Sequence, residues 1–450
     1  MGKRSLAIIL LVALALRCAL LLASWQAPQR FFTPDSRDYN LLAHNLLNDG
    51  VFTRTGQPDL FRTPGYPAFL AAMYWLAHNS IPFAVTVQIA LDVFQCALVY
   101  VLGRQLCSHK VGLVAAACQA VFPLAIVGAV RVLSEGLFAL CLTACLVLLV
   151  ELYRRGKGWP WALAAGVVLG LGCLIRPIGL PLAVLLAGAL LISRWRNWHW
   201  AAIFLVGTLC AVGPWIARNE LKTGYGQLSG VGDYNLFYCN AQVLLDAYPD
   251  LPLNVEQEWL LHVKHTYPDW PTGEPEYLND PVFLRACRQQ GSALILAHPL
   301  RYAWVHFKTS WNIFLPAATD VLEVLGVTSG GKGTLAVLQQ RGIVAAVRHY
   351  FGGQLWPMLL SIPMILITLG LYVLALKGLW QHARLHMPAT WWLLLIAFVY
   401  LAFTPGPVAL PRFCVPLAPL ISLAAGAGLV LGRKALTTEG TENTEAIRSS

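Results

Sequence analysis

The stretch FFTPDSRDYNLLAHNLLNDG, Phe31 to Gly50, places Asp35, Arg37 and Asp38 within four residues, directly after an apolar run that ends near Trp25. Two roles are open to Asp35. At a helix start, a carboxylate satisfies first-turn N–H groups and complements the helix dipole. At the water edge of a membrane, it is ionised and within reach of a lipid-borne group. Asp38 fits first-turn electrostatics and nothing more.

Further charges fall at comparable places. FRTPGYPAFL sets Arg62 ahead of two prolines and a glycine, a rigid turn that fixes where the guanidinium points. The plainer alternative is a structural turn with a snorkelling arginine. RVLSEGLF spaces Arg131 and Glu135 at i, i+4, close enough to pair with each other, although an ionisable residue so near hydrocarbon is by default a functional candidate. Arg176 precedes Pro177, Arg218 stands in PWIARN, and Arg412 in ALPRFCVP. A few acids among several arginines suit an anionic lipid headgroup. There is no glycine-rich nucleotide loop and no zinc-type spacing, so no cofactor is assigned and a divalent metal stays an open question.

The elements that must position these residues are membrane spans. With 57% hydrophobic and 12% charged residues over 450 positions, and mean hydropathy +0.59, the chain is too apolar for a soluble globular protein. The expected class is an all-α polytopic membrane protein. Ten apolar runs are candidate spans, near 5–25, 81–102, 111–130, 133–151, 159–175, 177–193, 199–216, 355–376, 391–404 and 413–431. The first resembles a signal peptide but lacks a small-residue cleavage site, so it is expected to be retained. A net charge of +10 reads as topology rather than nucleic-acid binding. Threading from a cytoplasmic N-terminus puts Lys3, Arg104, Lys110, Arg154, Lys157, Arg194, Arg384, Arg433 and Lys434 on one side.

Segments 26–80 and 217–354 then lie outside, with Asp35, Arg62 and Glu135 on that same face. YNLLAHNLLNDG and YPAFLAAMYWLAH have the apolar spacing of interfacial helices. The longer segment reads as a small, mainly helical region. The predicted divisions are 1–216 (N-terminal membrane module), 217–354 (extracytoplasmic), 355–434 (C-terminal helices) and 435–450 (disordered tail). Cys239 and Cys287 could form a disulfide in the outer region. Tyr225, Tyr234, Tyr238, Trp259, Trp270 and Trp304 could stack on sugar rings or serve as interface anchors.

Pro34-Asp35, Tyr39, RTPGYP, SEGLF, the RP opening the sixth helix, PWIARN closing the seventh and PRFCVPLAPL in the last occur together in order. In this the chain resembles the dolichyl-phosphate-mannose–protein mannosyltransferase-like family (glycosyltransferase families 39 and 83, glycosyltransferase-C superfamily), in particular its bacterial polyprenyl-phosphate-sugar users. The resemblance implies a glycosyltransferase-C transmembrane bundle in the bacterial cytoplasmic membrane, with its active site on the outer face. It implies inverting transfer of a sugar from a polyprenyl-phosphate donor to a glycan, lipid or protein acceptor. Asp35 takes the place of the family's base and Glu135 of its second acid. Arg62, Tyr39, Tyr66, Arg131, Arg176, Arg218 and Arg412 become donor-phosphate or substrate ligands. The family pattern is Asp-Glu where this chain has Asp35-Ser36. A flippase of lipid-linked sugars is the alternative from another class, and a catalytically inactive membrane scaffold a third. The sequence shows neither the related halves nor the broken midplane helices of many transporters.

Overall fold

The computed structural model describes residues 2–155, 158–193, 195–266, 276–329, 333–352, 354–383 and 389–430. Lys157, Arg194, Trp270, Arg384, Arg433, Lys434 and the tail 435–450 lie outside the described residues. Described residues form helices and no strand; one isolated bridge joins Thr53 and Pro58.

The N-terminal half runs α1 (Gly2–Ala23), α2 (Pro34–Asp49), α3 (Gly65–Leu76), α4 (Ile81–Leu106), α5 (His109–Val121), α6 (Pro123–Val130), α7 (Glu135–Arg155), α8 (Trp159–Ile175), α9 (Gly179–Ser193) and α10 (Trp198–Thr223). Short helices follow: α11 (Val231–Asn235), α12 (Gln242–Ala247), α13 (Val255–Thr266), α14 (Pro281–Ala297), α15 (Pro299–Ser310), α16 (Ala318–Val324) and α17 (Thr334–Phe351). The chain returns through α18 (Leu355–Ala383), α19 (Ala389–Phe403) and α20 (Pro411–Val430), which opens as a 3₁₀ turn. Six of these helices are long and apolar enough to cross a membrane: α1, α4, α7, α10, α18 and α20. Three shorter apolar helices, at 159–175, 179–193 and 390–403, match the remaining expected runs. This is a multi-pass membrane protein.

The run expected as one span at 111–130 is instead two helices, α5 and α6, bent by 59°. Pro123 lacks the N–H that an unbroken helix needs, and Phe122 before it takes an extended ψ of 114°. The carbonyls of Gln119 and Ala120, orphaned by this break, accept from Arg17 at 3.4 and 2.9 Å. Arg17 is fully buried in α1 and pairs with Asp92 of α4. PWIARN does not close the seventh run: α10 continues to Thr223, with Pro214 inside it. Packing between α8 and α10 relies on small residues, since a Cβ on Gly166 would stand 2.0 Å from the Phe204 carbonyl oxygen.

Between α10 and α17 a second apolar core buries Tyr225, Phe237, Tyr238, Leu260 and Phe283. Tyr225 and Tyr238 are therefore core residues and not open stacking platforms, whereas Trp259 and Trp304 are about half exposed. Cys239 Sγ donates to Asn235 Oδ1 at 3.4 Å and Cys287 is buried; no disulfide joins the two in this structure.

Candidate active site

Asp35 lies in the first turn of α2, whose start is fixed by a reciprocal cap: the Thr33 N–H donates to Ser36 Oγ at 2.8 Å. Ser36 is thus engaged in capping and fully buried. Gly50 at φ +68° ends the helix in the left-handed conformation that glycine adopts without strain. The chain then turns back and presents Arg62 to the first turn of α2.

That presentation is built by RTPGYP. Thr63 Oγ1 donates to the Ile175 carbonyl at 3.1 Å, closing the end of α8. A Cβ on Gly65 would stand 2.7 Å from the Leu174 carbonyl oxygen, so only glycine lets α3 begin so close to α8. Arg176, the residue after α8, is drawn to the same place as Arg62.

The charges form an alternating chain. Arg62 donates through Nη2 to Asp35 Oδ1 at 2.8 Å, and through Nε and Nη2 to Asp38 Oδ2 at 2.9 and 2.6 Å. Arg412, at the start of α20 and 377 residues away in sequence, pairs with the other Asp35 oxygen. It also stands 3.8 Å from Glu135, which opens α7 and pairs with Arg176 at 2.8 Å. Arg176 donates to Ser134 Oγ, and the Tyr39 hydroxyl meets that same oxygen, both at 3.2 Å. The Arg62 guanidinium lies 5.1 Å from the Tyr39 ring centroid, a cation–π contact.

Asp35 is 27% exposed at its side chain, open to a ligand but shielded enough for charge to act strongly. Burial acts to raise its pKa, but the Arg62 and Arg412 guanidiniums outweigh it and hold the carboxyl well below the usual carboxylate range. Burial acts to lower the pKa of Arg62, and Asp35, Tyr39 and Asp38 together push it well above the ordinary arginine value.

Arg131 does not pair with Glu135. It donates to the carbonyls of Arg30 and Phe32 and to Glu323 of α16 at 2.9 Å, tying α16 to the turn before α2. Arg131, Glu135, Arg412, Thr33 and Asp320 share a small cavity of ≈ 30 Å³. Burial pushes the Asp320 and Glu323 pKa values up despite the nearby Arg131.

Tyr66 is fully buried, donates to Gln88 at 2.6 Å and packs edge-on against Tyr39. It supports Tyr39 from beneath. Arg218 stands apart, donating to the carbonyls of Asp59 and Phe52 at 3.2 and 3.4 Å and covering the Trp215 ring. Asp38 departs from its expected role at a helix start: it is buried, paired with Arg62 and 3.2 Å from Arg54. Its partners lie 16 and 24 residues away, beyond what local spacing reveals. For a divalent metal the donors do not gather. Among the described residues no three or more His, Cys, Asp and Glu converge, and Asp35 and Glu135 face arginines.

Residues 61–217 match the family model described as dolichyl-phosphate-mannose-protein mannosyltransferase. The archaeal oligosaccharyltransferase AglB from Archaeoglobus fulgidus, solved with an inhibitory peptide and a dolichol-phosphate, is similar over 98% of this chain and 52% of its own. Its identity is 13% and its TM-score 0.52. The apo form of the A. fulgidus oligosaccharyltransferase gives 13% identity, 99% and 52% coverage and the same TM-score. ArnT from Cupriavidus metallidurans bound to undecaprenyl phosphate is similar at 12% identity over 92% of this chain and 77% of its own, with TM-score 0.42. No curated protein matches the sequence. The chain spans about half the length of the oligosaccharyltransferases it matches. Asp35 and Arg412 lie outside the segment that the family model covers. The fold is shared with the A. fulgidus oligosaccharyltransferase, and residues 61–217 resemble the dolichyl-phosphate-mannose-protein mannosyltransferase family.

Proposed function

We propose that the protein is an integral membrane glycosyltransferase that moves a sugar from a polyprenyl-phosphate donor to an acceptor hydroxyl on the outer face of the cytoplasmic membrane. The observation that carries this reading is the carboxylate of Asp35 held between two guanidiniums, Arg62 and Arg412, at one end of the bundle. A carboxylate so held is a weak base, because its pKa is far below that of any hydroxyl or water it must deprotonate. The arginines are also the groups best suited to a phosphate. Arrival of the donor resolves both points: its phosphate competes for the Arg62 and Arg412 forks, and Asp35, losing those partners, regains basicity only when donor is present.

Transfer then balances in one displacement. Asp35 takes the acceptor O–H proton, the acceptor oxygen bonds the anomeric carbon, and the bond from that carbon to the phosphate oxygen breaks. The electron pair leaves on the polyprenyl phosphate, whose growing charge the guanidiniums stabilise. Attack opposite the departing phosphate inverts the anomeric centre. Glu135 holds Arg412 and Arg176 toward the site and Tyr39 lies under Arg62.

The experiment is a purified preparation given a panel of polyprenyl-phosphate sugars, with release of polyprenyl phosphate as the readout. Liberation that depends on an acceptor, or proceeds slowly with water, supports the reading. Transport of the intact lipid-linked sugar with no liberation would replace it by the flippase.

A further inference from the structure

Beside the Asp35 pair lies a second, closed set of charges to which the proposed chemistry gives no work. Arg54 Nε pairs with Asp59, and Arg54 Nη1 is 3.2 Å from Asp38. Asp59 accepts the Arg62 backbone N–H at 2.8 Å, and the Arg62 side chain returns to Asp38 through Nε and Nη2. These bonds close a ring: Asp38, Arg54, Asp59, the Arg62 backbone, the Arg62 guanidinium, and Asp38 again. The Arg54 and Asp59 side chains are 1% and 0% exposed, so removing any member leaves a buried charge unpaired. Phe61 adds a flank, its ring centroid lying 5.7 Å from Arg54 and 5.2 Å from Arg62.

Both the main chain and the side chain of Arg62 are therefore gripped. With Nε and Nη2 engaged, Nη1 makes no hydrogen bond among the described residues, so a phosphate can enter at Nη1 and then compete with Asp35 for Nη2. A solvated first-turn acid would need neither Arg54 nor Asp59. Resting on the proposed donor-phosphate role of Arg62, we infer that Asp38, Arg54 and Asp59 are positioning residues that set the Arg62 guanidinium in register for a polyprenyl phosphate.

Asp38→Glu tests this, since it keeps the charge and moves the carboxylate by one methylene. A displacement near 1 Å costs up to about 10²-fold in a positioned reaction. Turnover per folded molecule at saturating donor should fall about 10–10²-fold, and undecaprenyl phosphate should bind more weakly than to wild type. In an Arg62→Lys background the same change should add little, because the group it positions is already lost. A charge-only role would leave Asp38→Glu at the wild-type rate and affinity, and that result overturns the inference. Arg54→Lys, which keeps charge but loses the fork joining Asp38 to Asp59, provides a second variant if Asp38→Glu does not fold. If wild-type protein liberates no polyprenyl phosphate from any donor, the glycosyltransferase reading fails. The undecaprenyl phosphate binding comparison still decides the positioning claim.

Discussion

Arg17 and Asp35 each sit in an ion pair joining distant parts of the chain, yet the two assemblies are wired differently. Arg17 lies inside the bundle with every guanidinium nitrogen engaged: Nε on Asp92, Nη1 on the carbonyls of Ala13 and Ala120, Nη2 on that of Gln119. It is fully buried, and Asp92 is 7% exposed. An ionisable pair at membrane depth is a standard pointer to a transport path. Here, however, the donors serve carbonyls freed by the α5–α6 break, which marks the pair as a staple for a bent span. The Asp35 assembly lies at the bundle end with its charges partly exposed and several groups unsatisfied. Glu135 Oε2, Arg131 Nε and Arg412 Nε are buried without a hydrogen-bond partner. A closed pair holds a fold, and an open chain can exchange partners with a ligand.

The sharpest way to break this comparison is to remove the proposed base, Asp35. Asp35→Asn keeps the size of the side chain and should lower turnover about 10²–10⁴-fold while the protein still assembles in the membrane. Residual turnover near wild type would show that the open chain does not do the chemistry.

Next in size is the inner pair. Arg17→Met leaves Asp92 buried and alone, and breaking a buried pair in this way costs about 3–5 kcal/mol. Thermal stability in detergent should drop by that order, while turnover per folded molecule is kept. Arg17→Met with Asp92→Leu should regain part of the loss. Wild-type stability with lost turnover would move Arg17 into the mechanism.

Arg62→Lys should reduce turnover at saturating donor about 10–10²-fold, the worth of roughly 1.5–3 kcal/mol for a directed charged hydrogen bond. Donor binding should weaken but survive, because the ammonium still offers a point charge without the planar fork. Normal turnover would remove Arg62 from the phosphate site.

The smallest effect is in pH. Free Asp35 has a depressed pKa, so its stabilising pairs are fully formed above the ordinary carboxylate range near ~4 and lost only as pH falls through the depressed value. Between pH 5 and 8 this group should contribute no slope to a melting curve. Once phosphate draws the arginines away, the Asp35 pKa should rise, so the acid limb of kcat should lie at higher pH than that of kcat/KM. Coincident limbs would argue that the arginines stay on Asp35.

Much of this architecture was legible because its signals are local. Apolar length located the spans, and helical spacing located α2 and α3. The turn chemistry of RTPGYP marked the place where Arg62 is fixed. The α5–α6 break was written in Pro123 but masked by the apolar residues on both sides. Arg17 escaped because a single charge in an apolar run discloses nothing until Asp92, 75 residues on, is set against it. Asp38 escaped for the same reason, since its partners Arg54 and Arg62 come from a loop that folds back over α2. Local spacing favoured an Arg131–Glu135 pair, but α16 and the residue that follows α8 supply their partners, Glu323 for Arg131 and Arg176 for Glu135.

The central claim is that a phosphate and the Asp35 carboxylate compete for the same two guanidiniums. Equilibrium binding of undecaprenyl phosphate to wild type and to Asp35→Asn, compared at one ionic strength, tests it most directly. If the claim holds, Asp35→Asn binds the lipid phosphate more tightly than wild type while turning over almost no donor, because the competing carboxylate is gone. Equal or weaker binding in Asp35→Asn would contradict it, leaving Arg62 and Arg412 as fixed partners of Asp35 and not as the phosphate's.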